Sequence, residues 1–236
     1  MTVPHLLTED ALERSSVIAN NAMNRERGLT GVNSYARDLG FDPVARLTSA
    51  GSGAPAWLDL CSGEGRALRE ALGALPGGAV LTGVDLVGPL APLPVPAGLE
   101  LVTGSVARWA PPRGRTYDLI TCVHGLHYVG DPLGLLGRAA GWLAPGGLLI
   151  AHLDPEAIRF PDGAPAGRAA VAALRAAGFR YSARHHRVAF DGPGRAVTLP
   201  FRYLGADPGA GPNWTGQPAV GSHYAPAPVA EAEGAQ

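Results

Sequence analysis

Five apolar runs decide what this chain can fold into: AWLDL (56–60), AVLTGVDL (79–86), LELVTG (99–104), YDLITCV (117–123) and LLIAHLD (148–154). They are nearly continuous in Leu, Val and Ile, the pattern of parallel strands buried on both faces. Helical stretches fit between most of them, over 64–75 and 131–143, and another follows over 166–177. The crossover VGPLAPLPVPAG carries four prolines in eight residues, which forbids a regular helix and predicts a compact extended loop. After the fifth run, YSARHHRVAF and RAVTLPFRYL flank DGPG and read as a hairpin. Alternating strands and helices closed by a hairpin predict an α/β fold: a doubly wound, mostly parallel seven-stranded sheet with one antiparallel strand. Ahead of it, Thr8 is expected to cap a helix reaching about residue 27, with short helices over 34–39 and 43–48. Residues 1–50 thus form an N-terminal helical cap over a main domain of residues 51–205. Residues 206–236 form an extension whose last dozen residues, APAPVAEAEGAQ, have the composition of a disordered tail.

Composition narrows the functions open to such a fold. The formal net charge is −1, so no basic surface advertises nucleic acid. All 19 basic residues are arginine, which excludes Schiff-base chemistry and the P-loop lysine. Cys61 and Cys122 both fall in apolar strand contexts and read as buried free thiols of a reducing compartment. The first residues lack a basic segment followed by an apolar one, and no apolar run spans a bilayer. A cytoplasmic protein with no membrane partner is expected.

The first strand runs into LDLCSGEG, a turn with glycines at 63 and 65 that opens a helix. GxxxxGK[ST] is absent, and a dinucleotide fingerprint fails because position 68 is Leu. Asp59 and Glu64 would also set two carboxylates against a pyrophosphate, costing roughly 3 kcal/mol per pair at ~5 Å and an effective dielectric near 20. A nucleoside carrying cationic groups suits the turn better.

Residues 56–154 resemble the core of class I S-adenosylmethionine (SAM)-dependent methyltransferases. Asp59-Leu60-Cys61-Ser62-Gly63-Glu64-Gly65 is similar to that family's acid followed by GxGxG, with Cys61 in place of the first glycine. Asp85, twenty residues after Gly65, stands where the family's acid takes the ribose hydroxyls. Gly104-Ser105 replaces the usual Gly-Asp, so Ser105 is the expected acceptor for the adenine amino group. The stretches YDLITCVHGLHYVGD and LAPGGLLIAHLD match the fourth and fifth elements. The resemblance implies SAM as cofactor and S-adenosylhomocysteine (SAH) as product, held by Asp59, Cys61, Gly63, Gly65, Asp85, Leu86, Ser105, Val106 and Val123, with no metal. It implies methyl transfer to oxygen or nitrogen of a small molecule or small peptide. An inactive SAM-binding partner of another catalytic subunit is the alternative.

Val123-His124-Gly125-Leu126 occupies the place where base- and glutamine-modifying relatives carry Asn/Asp-Pro-Pro-Tyr, which argues against nucleic-acid acceptors. His124 is the first candidate for a catalytic base and His127 the second; both also fit a pocket wall without a proton role. His185 and His186 are adjacent in a predicted strand and should point to opposite faces. Asn24 and Arg27 lie on one face of the first predicted helix, and Tyr35 follows. These three are the candidate substrate contacts, with a solvated polar face as the plainer reading. The segment GPNWTGQPAVGSHY (211–224) holds Trp214 and Tyr224 in polar, glycine-rich surroundings. It either folds back over the pocket, joins a homodimer contact or has no role.

Overall fold

The computed structural model describes residues 5–19, 27–49, 53–88, 94–192 and 194–227. Seven strands form the main sheet: β1 (Ala56–Leu60), β2 (Val80–Asp85), β3 (Leu99–Thr103), β4 (Tyr117–Cys122), β5 (Leu143–His152), β7 (Arg180–Ser182) and β8 (Arg187–Asp191). Their spatial order is β3-β2-β1-β4-β5-β8-β7. β1 to β5 pair in parallel, and β8 runs antiparallel to both β5 and β7. The seven-stranded, mostly parallel architecture with one antiparallel strand is the one expected. From β1 the chain first builds outward to β3, then returns to the other side of β1 with β4. The reversal opens a crevice at the carboxyl ends of β1 and β4, the place where ligands bind in open α/β sheets.

Both faces of the sheet are covered. On one side Tyr35, Leu39 and Leu47 pack with Trp57, Leu68 and Leu119. These come from α3 (Tyr35–Leu39), α4 (Pro43–Ser49), β1, α5 (Arg66–Leu72) and β4. On the other side α6 (Pro132–Ala140) and α7 (Gly167–Ala176) contribute Leu133, Leu136, Ala170 and Leu174. Each buried leucine contributes about 1.5–3 kcal/mol, so α3 and α4 belong to the core of the sheet. Three expected starts are borne out by side-chain caps. Thr8 Oγ1 accepts from Ala11, Ser34 Oγ from Arg37 and Asp131 Oδ1 from Gly134.

The structure departs from expectation in four places. The helix expected from Thr8 to about residue 27 breaks after α1 (Glu9–Glu13), and α2 (Ser16–Ala19) follows; residues 20–26 lie outside the described residues. The helix expected over 131–143 ends at Ala140, and APGG lies inside β5, where the ladder with β4 skips between Tyr117 and Leu119. The hairpin falls earlier than DGPG: a 3-10 turn over Ala183–His185 and a left-handed His186 (φ 48°) reverse the chain between β7 and β8. His185 and His186 are therefore turn residues, not strand neighbours. RAVTLPFRYL instead leads to β9 (Phe201–Asp207), which crosses the expected boundary at 205/206 and joins a second, three-stranded sheet. That sheet also contains β6 (Ile158–Arg159) and β10 (Gly221–Pro226), so Ala225 and Pro226 belong to a strand, while residues 228–236 lie outside the described ones. Paired backbone bonds between Leu7 and Ala206 stitch the beginning of the chain to β9.

Candidate active site

The crevice begins at the turn after β1. Cys61, Gly63 and Gly65 all have positive φ, at 59°, 61° and 70°. Glycine is needed at 65 for a second reason, because a Cβ there would stand 2.6 Å from Leu101 Cδ2. Cys61 carries a side chain in a conformation that glycine adopts without strain. Its free thiol hydrogen-bonds with that of Cys122, and this contact and burial push it well above its ordinary range. The backbone N–H of Gly63 donates to Asp85 Oδ2 at 2.8 Å, and Val87 N–H donates to Oδ1 at 3.0 Å. The acid at the end of β2 is thus tied to the turn after β1.

Asp59 has a different part from the one expected of it. Its side chain is buried behind the turn, where Tyr35 Oη donates to Oδ2 and Thr121 Oγ1 to Oδ1, each at 2.6 Å. Thr121 Oγ1 in turn accepts from Trp57 Nε1 at 2.8 Å. Burial raises the Asp59 carboxyl to about 7, against the pull of the two hydroxyls. The repulsion invoked against a dinucleotide therefore cannot count Asp59 as a charge on the turn. Tyr35, expected as a substrate contact, is buried with its ring edge-on to Trp57 and serves Asp59 instead. Tyr35→Phe leaves Asp59 Oδ2 buried without its donor, and we expect a loss of about 1–3 kcal/mol, read from the urea midpoint at pH 7.

A cavity of about 300 Å³ lies over the turn and the end of β4. Arg27, Cys61, Gly63, Asp85, Val123, His124 and His127 line it, all anticipated from sequence. Gly125, Tyr128, Asn213, Thr215 and Gln217 complete the lining. Asp59, Gly65, Leu86, Ser105, Val106 and Tyr35 are not among the lining residues. Asn24 lies outside the described residues. Leu86 packs against the Leu12–Ile18 cluster of α1 and α2, and Ser105 and Val106 are buried. The Ser105 hydroxyl has no hydrogen-bond partner among the described residues.

The other side of the cavity is an imidazole cluster closed by an indole. His124, just past β4, has a left-handed backbone with φ 58°. Its ring stacks on His152, at the end of β5, with centroids 4.2 Å apart and planes 13° off parallel. His186 stacks on Trp214 at 4.5 Å and 7°. Trp214 also lies 5.4 Å from His124, 6.0 Å from His152 and 6.3 Å from His127. Thus the segment from 211 folds back over the pocket. Trp214 N–H donates to Asp154 Oδ2, Asn213 Oδ1 accepts from Thr215 N–H and Oγ1–H, and Val220 N–H donates to the His127 carbonyl. Burial, with help from His124, pushes His127 and His152 down to about 3, so both stay neutral. Asp38, His152, His186 and Trp214 were not marked as site residues by sequence. The one available signal was a tryptophan in a polar, glycine-rich stretch.

The strand order, the crevice at its reversal and the acid tied to a glycine turn define a class I SAM-dependent methyltransferase. A family model described as "Methyltransferase domain" matches residues 32–189, well over half of the chain. The chain belongs to that family. A comparison with curated proteins returns no match. Among solved structures, it is similar to the plantazolicin methyltransferase BpumL in complex with SAH (14% identity, 63% of this chain and 58% of that one, TM-score 0.43). It is also similar to SAM-bound CalS10, an amino pentose methyltransferase from Micromonospora echinaspora (22% identity, 58% and 56%, TM-score 0.38). A third likeness is to Haemonchus contortus phospholethanolamine N-methyltransferase 2 (17% identity, 63% and 37%, TM-score 0.43). The chain spans 42–49% of the length of other BpumL structures that it matches. Among the described residues no group of His, Cys, Asp and Glu is arranged to hold a metal, and no helix is long and apolar enough to cross a membrane.

Proposed function

We propose that this protein transfers the methyl group of SAM to an oxygen or nitrogen of a small molecule or small peptide. The observation that carries the reading is the tie between Gly63 N–H and Asp85 at the strand-order reversal, beside the cavity. Asp85 would take the ribose hydroxyls, the Cys61–Gly65 turn would cradle the ligand, and Val123 would line its methyl end. SAM, when bound, supplies an electrophilic methyl on a sulfonium. The chain's own residues orient the acceptor in line with it and exclude water.

Of the two histidine candidates, His124 is the better base. It lines the cavity with a side chain that is 19% exposed, whereas burial makes His127 a poor proton acceptor. His127 serves instead as a neutral wall, tied to the returning segment through its carbonyl.

Calorimetric titration with SAH tests the reading. Wild type should bind, and Asp85→Ala should bind about 10–100-fold more weakly, as expected for losing a charge-assisted hydrogen bond. Wild-type protein that binds neither SAH nor SAM would remove the proposal.

A further inference from the structure

His124 is not held by its own loop. Its Nε2 lies 3.5 Å from Asp38 Oδ2, on the short helix α3, eighty-six positions earlier in the chain. Arg27 pairs with the same carboxylate oxygen. Partial burial works to raise the Asp38 carboxyl, yet the bonds from His124 and Arg27 leave it below its ordinary range. The other groups facing the His124 ring are His152 stacked beneath it, His127 three residues on, and Trp214 with His186 behind it. Two of those imidazoles stay neutral. Among the described residues, Asp38 is thus the carboxylate paired with His124.

This pairing fixes the chemistry of the ring. A neutral imidazole has one N–H and one lone pair, and a carboxylate at Nε2 requires the N–H there. The lone pair is then on Nδ1. A 3.5 Å separation is long for a hydrogen bond, but such contacts commonly tighten when an acceptor binds. The left-handed backbone at 124 costs roughly 1–2 kcal/mol for a residue with a Cβ, and the stacking on His152 holds the ring in place against that cost.

We infer that Asp38 is the positioning residue of His124, and that the pair serves an acceptor bearing a weakly acidic hydroxyl, such as a phenol or an enol. The inference rests on the methyltransferase reading above. A carboxylate acceptor is already ionised at neutral pH and needs no base. A phenol, with a pKa of about 10, is ionised only to about one part in a thousand at pH 7, so a held base has something to contribute. A protonated amine would bring a third positive charge beside the Arg27 guanidinium and the sulfonium, while Asp38 is already shared between Arg27 and His124. A neutral hydroxyl meets no such repulsion. In the transfer, a lone pair of the hydroxyl oxygen forms the new O–C bond and the S–C bonding pair returns to sulfur. The hydroxyl proton ends on His124 Nδ1, so the positive charge passes from sulfonium to an imidazolium beside Asp38.

The test uses two acceptors of different acidity, phenol and 4-nitrophenol, with wild type, Asp38→Asn and His124→Gln. Methyl transfer from SAM is measured at pH 8, where 4-nitrophenol is largely ionised and phenol is not. The rate ratio of phenol to 4-nitrophenol should fall about tenfold in Asp38→Asn and about a hundredfold in His124→Gln, the scale of general-base effects. An unchanged ratio, whatever the absolute rates, assigns both residues a structural role and overturns the inference. So does a wild type that binds SAH yet methylates neither phenol. A second readout needs no turnover: at pH 6 the absorbance of 4-nitrophenolate should rise on adding wild-type protein and not on adding His124→Gln. If SAH fails to bind, the methyltransferase reading falls by itself, and this absorbance change alone then supports or overturns the Asp38–His124 pair.

Discussion

Asp59→Asn should abolish a fall in stability that the wild-type protein shows between about pH 4 and pH 7. The folded carboxyl holds its proton to about pH 7, whereas the unfolded one releases it near 3.8. Across that window the unfolded state binds fewer protons than the native state, so unfolding becomes easier as pH rises. The sign is opposite to that of a salt-bridged carboxylate. At about 1.4 kcal/mol per pH unit the full swing is about 4–5 kcal/mol, present below the unfolded value and lost as pH rises through the folded one. Asparagine cannot release a proton and still offers hydrogen bonds to the Tyr35 and Thr121 hydroxyls. Urea unfolding of both proteins at several pH values gives the difference directly. Parallel curves for the two would mean that Asp59 does not carry the proton.

The second large effect belongs to Gly65→Ala. The left-handed backbone costs an alanine roughly 1–2 kcal/mol, and forcing a Cβ against Leu101 adds roughly 1–3 kcal/mol. A total of about 2–5 kcal/mol is expected, together with weakened SAH binding as the turn shifts. Adding Leu101→Ala should recover the steric part and leave the backbone part. A double variant no better than the single one would show that the contact with Leu101 is not what glycine avoids. A variant as stable as wild type would mean that the turn tolerates side chains at 65 as it does at Cys61.

The sheet was legible because its strands are buried on both faces and show as unbroken apolar runs, and because side-chain caps such as Asp131 mark helix starts locally. The same locality made one wall of the cavity legible: Gly63 and Asp85 are motif residues at fixed spacing. The hairpin was not legible because its reversal uses a left-handed histidine, His186, where glycine or asparagine would signal it, while DGPG nearby carries the sequence signal of a turn. Asp59 sat at the motif position, but sequence could not reveal that Tyr35 and Thr121 would enclose it. Neither Asp38 nor His152 carried a local signal. Their meeting at His124 depends on α3 packing across the sheet and on the parallel alignment of β4 with β5.

The cavity is assembled from two kinds of chain. One wall comes from strand ends in the middle of the sequence, whereas Arg27, Asn213, Thr215 and Gln217 reach it from either flank, and Asp38 and Trp214 lie against its His124. The Gly63–Asp85 tie, by contrast, is made wholly within the middle part. On the proposed reading, changes near residues 27–38 and 213–217 would alter acceptor preference while the Gly63–Asp85 tie is inherited intact. For redesign, these two stretches are the natural ones to exchange, and the strand ends the ones to leave alone.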